Sequence, residues 1–230
     1  MAIDGRQREK TMSLKVTKLA EAPLINASWD KPPWQEIQPE LIGNYMGTKP
    51  DHFPETLVKI AYDEETLYLI FRVEDRYVRA VTAHHQGDVY KDSCVEFFFA
   101  PGTDVDKGYF NLEMNCAGTM CFHFQKAPYD GIVKIRENEY RQIETAHSLS
   151  GMISTEMPEP VTWTVEYRLP MAILENYRTL VKPAPGVIWR ANFYKCADET
   201  SHPHWLTWSS VAFPAPNFHL PQFFGLLEFN

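Results

Sequence analysis

What this chain lacks narrows its function before any motif is sought. No apolar run approaches the ~20 residues of a membrane-spanning helix. The N-terminal stretch MAIDGRQREKTMSLKV holds no apolar core of the kind a secretory signal needs, so no signal peptide is visible. Basic clusters are missing too: Lys and Arg number 22 against 30 Asp and Glu, a net charge of −8. An acidic surface repels phosphate backbones and anionic lipid, which argues against nucleic acid and membrane as partners and for a neutral ligand. Cysteines are few and form no CxxC. Cys94, Cys116 and Cys196 fall in strand-like runs, where a free thiol acts as a small apolar side chain, so they and Cys121 read as reduced core or near-core residues. A zinc site joining them to His84 or His85 has no standard ligand spacing. There is no Gly-rich phosphate loop, no G-x-S-x-G elbow, no HExxH and no EF-hand loop, and no serine or histidine has a supporting nucleophile–base motif.

Aromatic and apolar residues are plentiful. With 44% apolar residues, including six Trp, eleven Tyr and fourteen Phe, the chain carries enough material for a full core. Their spacing is that of strands. Residues 57–62 and 66–73 alternate and are joined by Asp63-Glu64-Glu65, which reads as a hairpin. In 161–169, Trp163, Val165, Tyr167 and Leu169 alternate with Thr162, Thr164, Glu166 and Arg168. Further strands are expected at 78–83, 119–125, 132–136, 140–145, 187–195 and 225–229, and a first edge strand near 14–19. Pro170 opens the one expected helical turn, 171–176. Residues 201–222 read as an aromatic-rich loop containing Trp205, Trp208, Phe213 and Phe218. Many strands and almost no helical periodicity predict an all-β fold, an antiparallel β-sandwich of jelly-roll or immunoglobulin-like type. One domain over 1–230 is expected, with 1–13 as a flexible tail.

The stretch 90–120, YKDSCVEFFFAPGTDVDKGYFNLEMNCAGTM, concentrates the chemistry. Strand alternation sets Val95, Phe97 and Phe99 on one face and Cys94, Glu96 and Phe98 on the other. In the second run Phe110, Leu112, Met114 and Cys116 share a face opposite Asn111, Glu113 and Asn115. Each strand thus places a carboxylate, Glu96 or Glu113, amid aromatic and apolar residues. The plainer reading puts both on a solvent-facing strand surface. If the strands pair, the two carboxylates line one polar patch. Sugars present apolar C–H faces to aromatic rings and hydroxyls to carboxylates and amides, so rings beside Glu and Asn have the composition of a carbohydrate site. Two opposed carboxylates also permit a glycosidase reading, provided burial keeps one protonated.

Three ordered blocks give the sequence a resemblance. Leu57–Asp75 (LVKIAYDEETLYLIFRVED), Tyr90–Asn115, and a C-terminal set of VIWRANFYK (187–195), LTWSS (206–210) and NFHLPQFFGLLEF (217–229) together resemble carbohydrate-binding module family 9, a β-sandwich family related to the DOMON-like group. The resemblance implies non-catalytic binding of a mono- or oligosaccharide between two aromatic rings. One ring lies six residues before the Glu of the D-x-x-V-E motif, which is Tyr90 before Glu96. The other lies three residues before the Pro of the closing loop, which is Phe218 before Pro221. A polar sugar contact two positions before the next strand's Asn falls on Glu113, ahead of Asn115, where the family has Arg. The ligand set implied is therefore Tyr90, Glu96, Glu113, Asn115 and Phe218. Tyr and Phe replace the larger Trp, and Glu for Arg reverses a charge, which changes the ligands accepted.

The resemblance also implies an extracellular or periplasmic setting and association with glycan-degrading enzymes. No cofactor is required. A structural calcium ion is a candidate, with Asp63, Asp75, Asp104 and Asp106 as loop carboxylates. The alternative within the wider group is a b-type haem electron-transfer domain, with Met114, Met120, His84 and His123 as ligand candidates.

Overall fold

The computed structural model describes residues 11–230. In chain order the strands are β1 (Ser13–Lys18), β2 (Glu40–Leu41), β3 (Asn44–Tyr45), β4 (Glu55–Tyr62), β5 (Thr66–Asp75), β6 (Val78–Ala80), β7 (Cys94–Ala100), β8 (Tyr109–Asn115), β9 (Met120–Ala127) and β10 (Asp130–Lys134). Helix α1 (Glu137–Tyr140) precedes β11 (Glu144–His147), β12 (Ile153–Met157) and β13 (Val161–Pro170). Helix α2 (Met171–Glu175) precedes β14 (Ile188–Cys196), β15 (Trp205–Thr207) and β16 (Gly225–Phe229).

Two layers face each other. One runs β10-β9-β8-β7-β14-β16-β1 and the other β1-β4-β5-β13-β11, so β1 belongs to both. Its first half, Ser13–Val16, pairs parallel with Leu226–Phe229, and Thr17–Lys18 pair parallel with Ala61–Tyr62. The expected first strand is present but is the seam between the layers, not an edge. Only Val16 and Leu19 of this stretch are buried, so its side chains carry no trace of the backbone hydrogen bonds it makes on both sides.

The core follows from the alternation. Val95, Phe97 and Phe99 of β7 and Phe110, Leu112 and Met114 of β8 point inward, towards Leu67, Leu69, Phe71 and Val73 of β5 and Trp163, Val165, Tyr167 and Leu169 of β13. Ring pairs tie the layers together: Phe97 stacks on Phe193 at 5.1 Å between centroids, and Phe193 meets Phe71 across the sandwich at 6.2 Å. Each such side chain taken fully from water contributes about 1.5–3 kcal/mol. The two expected hairpins form. Asp63 closes one by accepting from the Glu65 and Thr66 amides at 2.8 Å. In the other, Gly118 takes φ 82°, a left-handed conformation that a side chain disfavours.

Some elements differ from the sequence expectation. Residues 137–140 are helical where a strand from 140 was expected, and β12, which pairs with β6, was not foreseen. The expected 201–222 loop contains β15, which bridges β14 to β3. Most of the expected 1–13 tail lies outside the described residues, and Ser13 already belongs to β1.

Candidate functional site

The outer face of the first layer is covered, unlike that of an ordinary solvated sheet. Every residue of β7 and β8 is buried on both faces. The cover is residues 211–224, whose Val211, Phe218, Leu220 and Phe224 pack on Phe98, Tyr109 and Tyr194. Polar contacts pin the cover down. Tyr194 donates its hydroxyl to the Phe218 carbonyl at 3.1 Å, Tyr109 meets His219 Nδ1 at 2.8 Å, and the Tyr129 hydroxyl donates to Asn217 at 2.8 Å. The cover leaves open a cavity of about 340 Å³. Its floor is Glu96, Glu113, Phe98 and Cys196, and its walls include Tyr90, Tyr129, Trp205, Phe218 and His219, with Asp198 beside Trp205.

Glu96 and Glu113 are direct partners across β7 and β8. The plainer expectation that they face solvent is corrected: they are 2% and 6% exposed. The cause is the covering loop, which lies far away in sequence. Asn111 Nδ2 donates to Glu113 at 2.9 Å, and the Cys196 thiol donates to Glu96 at 3.1 Å. Burial, then Cys196 and Glu113, hold the Glu96 carboxyl well above its usual range. Burial, reinforced by Asp198 and Asp88 and opposed by the Asn111 hydrogen bond, pushes Glu113 up to about 7. Burial likewise raises Asp198 to about 6, although the Trp205 Nε1–H donates to it at 2.9 Å. Neutral carboxyls both donate and accept, as hydroxyl recognition requires.

Tyr90 sits in a short 3₁₀ turn before β7, 38% exposed, its carbonyl accepting from the Asp198 amide at 3.2 Å. Phe218 lines the cavity but lies stacked on Tyr194 at 4.1 Å and is 8% exposed. The expected contacts Glu113 and Asn115 are split. Glu113 is on the floor, while Asn115 lies away from the cavity with its amide fully used. Its Nδ2 donates to Thr82 O and Asp92, and its Oδ1 accepts from the Ala117 and Thr119 amides. It holds the β8–β9 turn and, through Asp92, the segment that carries Tyr90. Reading the residues missed Trp205, Tyr129, Asp198 and His219 as cavity residues. The signal available was the aromatic density of 201–222.

The remaining candidates do not gather. Asp75 is taken by His52, the Arg76 amide and Trp163, Asp63 by its own turn and Tyr68, and Asp104 by Lys107 and the Asp106 amide. Among the described residues, the one set of three His, Cys, Asp or Glu donors within 4.8 Å is Cys94, Glu96 and Cys196, and its thiols are soft ligands unlike the oxygens calcium takes. The four loop carboxylates therefore do not form a calcium cage together. The haem alternative fails on geometry as well. Met114 and Met120 are paired inside the packed core, His123 is on the opposite face, and His84 is exposed.

The chain matches the family described as carbohydrate-binding family 9 over residues 30–229. No curated protein sequence matches it. Among solved structures, it is similar to a protein of Bacteroides uniformis described as carbohydrate-binding, at 28% identity and TM-score 0.85, over 96% of this chain and all of that one. It shares its fold with a carbohydrate-binding module family 9 of Caldicellulosiruptor kristjanssonii. The complex of that module with glucose matches at 15% identity and TM-score 0.65, over 95% of this chain and 96% of that one. The complex with cellotriose matches at 15% and 0.62, over 95% and 93%. With the family match spanning most of its length, this chain belongs to carbohydrate-binding family 9.

Proposed function

We propose that the chain binds a mono- or oligosaccharide without transforming it, and that the cavity under residues 211–224 is where the sugar sits. The observation that carries this is the joining of aromatic walls to a carboxyl floor in one half-open cavity. Trp205 and Tyr90 offer ring surface to C–H faces, and Glu96, Glu113 and Asp198 offer hydroxyl partners. A second groove, lined by 47–52, 201–203 and 214–216, shares Trp205 and Pro216 with the cavity, so a terminal sugar in the cavity leaves its chain a path outward. The binding of glucose and cellotriose by the Caldicellulosiruptor kristjanssonii module accords with this reading.

Catalysis is not part of the proposal. Glycoside hydrolysis needs carboxyls on either side of the scissile bond, whereas Glu96 and Glu113 stand side by side on one floor. Among the described residues no helix is long and apolar enough to cross a membrane. An extracellular or periplasmic setting, alongside enzymes that degrade glycans, suits a module of this kind. Titration calorimetry with a panel of mono- and oligosaccharides tests the function. Saturable binding is expected, and no binding across the panel overturns it.

A further inference from the structure

Six carboxyl side chains are buried among the described residues: Asp75, Asp92, Glu96, Glu113, Glu139 and Glu166. Four are matched in full. Glu166 accepts from the Asn26 and Ala27 amides, Lys31 and Trp34. Glu139 accepts from Arg136, Asn176 and Tyr177. Asp92 accepts from the Val81 and Thr82 amides and Asn115. Asp75 accepts from His52, Arg76 and Trp163. The other two, Glu96 and Glu113, have one protein donor each, a thiol and an amide, which leaves one oxygen of each without a protein donor. Both line the cavity. Their free oxygens open on the cavity rather than being sealed inside the protein, which marks where a ligand's donors belong.

The charge around them is one-sided. Among the described residues, no Lys or Arg lines the cavity. Lys195, although next to Cys196, faces the interior, where it meets His204 at 2.7 Å and Asp75 at 3.5 Å. Lys91, next to Tyr90, is held outside by Asp88 and Glu199. A neutral sugar supplies hydroxyl donors to carboxyls that burial keeps protonated, but no charge to draw them to the carboxylate form. An ammonium supplies three donors and the charge, and aromatic faces attract it further.

We propose that the saccharide this cavity prefers is cationic, an amino sugar whose free ammonium sits against Glu113 and Glu96. This rests on the carbohydrate-binding function above and adds the ligand's charge to it. A divalent metal on Cys94, Glu96 and Cys196 would occupy Glu96 but leave the free oxygen of Glu113 without a donor.

The test is calorimetry on the full chain at pH 6.5 in low salt with EDTA, which removes metal from the question. The ligands are matched sets: glucose, galactose and mannose, their 2-amino-2-deoxy forms and their N-acetyl forms, with 2-aminoethanol as an amine that is not a sugar. In at least one set the free amine is expected to bind ten-fold or more tighter than both the neutral parent and the N-acetyl form, and than 2-aminoethanol. Glu113→Gln is expected to bring the amine to within three-fold of its parent. Asp198→Asn, at a less buried position, is expected to narrow the gap and serves if Glu113→Gln fails to fold. Neutral sugars that bind as tightly as their amines overturn the charge preference and leave carbohydrate binding standing. Equal binding of 2-aminoethanol overturns it too. No saccharide binding at all overturns both.

Discussion

Glu96 and Glu113 stand directly opposite each other across β7 and β8, buried on the cavity floor with no Lys or Arg among the described residues lining it. The cavity is thereby set apart from the buried ion pairs elsewhere in the fold, and the pair leaves a signature in the stability of the protein. Glu113, ordinarily near 4.5, is raised to about 7 by burial. Between those values the folded state keeps a proton that the unfolded chain gives up. The stabilisation is complete below pH 4.5 and lost as pH rises to about 7. His123 and His219, held down to about 4 by burial, contribute with the opposite sign between pH 4 and 6.5, so the wild-type profile alone does not isolate the carboxyl. The difference from Glu113→Gln does. Denaturant unfolding is expected to show the variant close to wild type at pH 4.5 and more stable at pH 7.5, by on the order of 3 kcal/mol.

Trp205 and Phe218 both line the cavity but are expected to respond differently to truncation. Trp205 is partly exposed, and its indole spans the cavity and the outer groove. Trp205→Ala is expected to weaken saccharide binding by about 10–100-fold in calorimetry. Phe218 is packed on Tyr194 and at the edge of Phe98. Phe218→Ala is expected to destabilise the fold by about 3 kcal/mol in the same unfolding assay.

Asn115 provides a control beside the site. Asn115→Ala removes one donor from buried Asp92 and the acceptor for two turn amides. Unfolding free energy is expected to fall by about 1–3 kcal/mol. Saccharide affinity is expected to change by less than about three-fold.

All four cysteines are free and buried, and Cys196 lines the cavity. Burial pushes the Cys94 and Cys116 thiols up to about 12 and holds Cys196 well above its usual range. Thiolate is the reactive form. At pH 8 the native thiols are expected to react with iodoacetamide at least about a hundred-fold more slowly than in denaturant.

The sandwich was legible because its signal is local. Strands such as Val161–Pro170 alternate over their whole length, and both hairpins carry their turn residues. The stretch from Tyr90 to Asn115 also announced a shared carboxyl patch. The covering of that patch was not legible, because it depends on residues 211–224 folding back over β7 and β8, about a hundred residues earlier in the chain. The same loop brings His219 to the cavity, and β15, paired with β14, brings Trp205. Asn115 was misplaced for the opposite reason. Its position in the strand matches a binding residue, but the neighbouring turn and Asp92 claim its amide. The sequence leads to an edge strand at 14–19, whereas backbone pairing on both sides makes β1 the seam between the layers.

The cavity's role is tested most directly by a crystal structure of the protein with a saccharide that calorimetry shows to bind. A sugar ring is expected inside the cavity under residues 211–224, with a donor within hydrogen-bond distance of Glu113 and an aromatic contact to Trp205 or Tyr90. A sugar bound elsewhere on the molecule, with the cavity filled only by water, would contradict it.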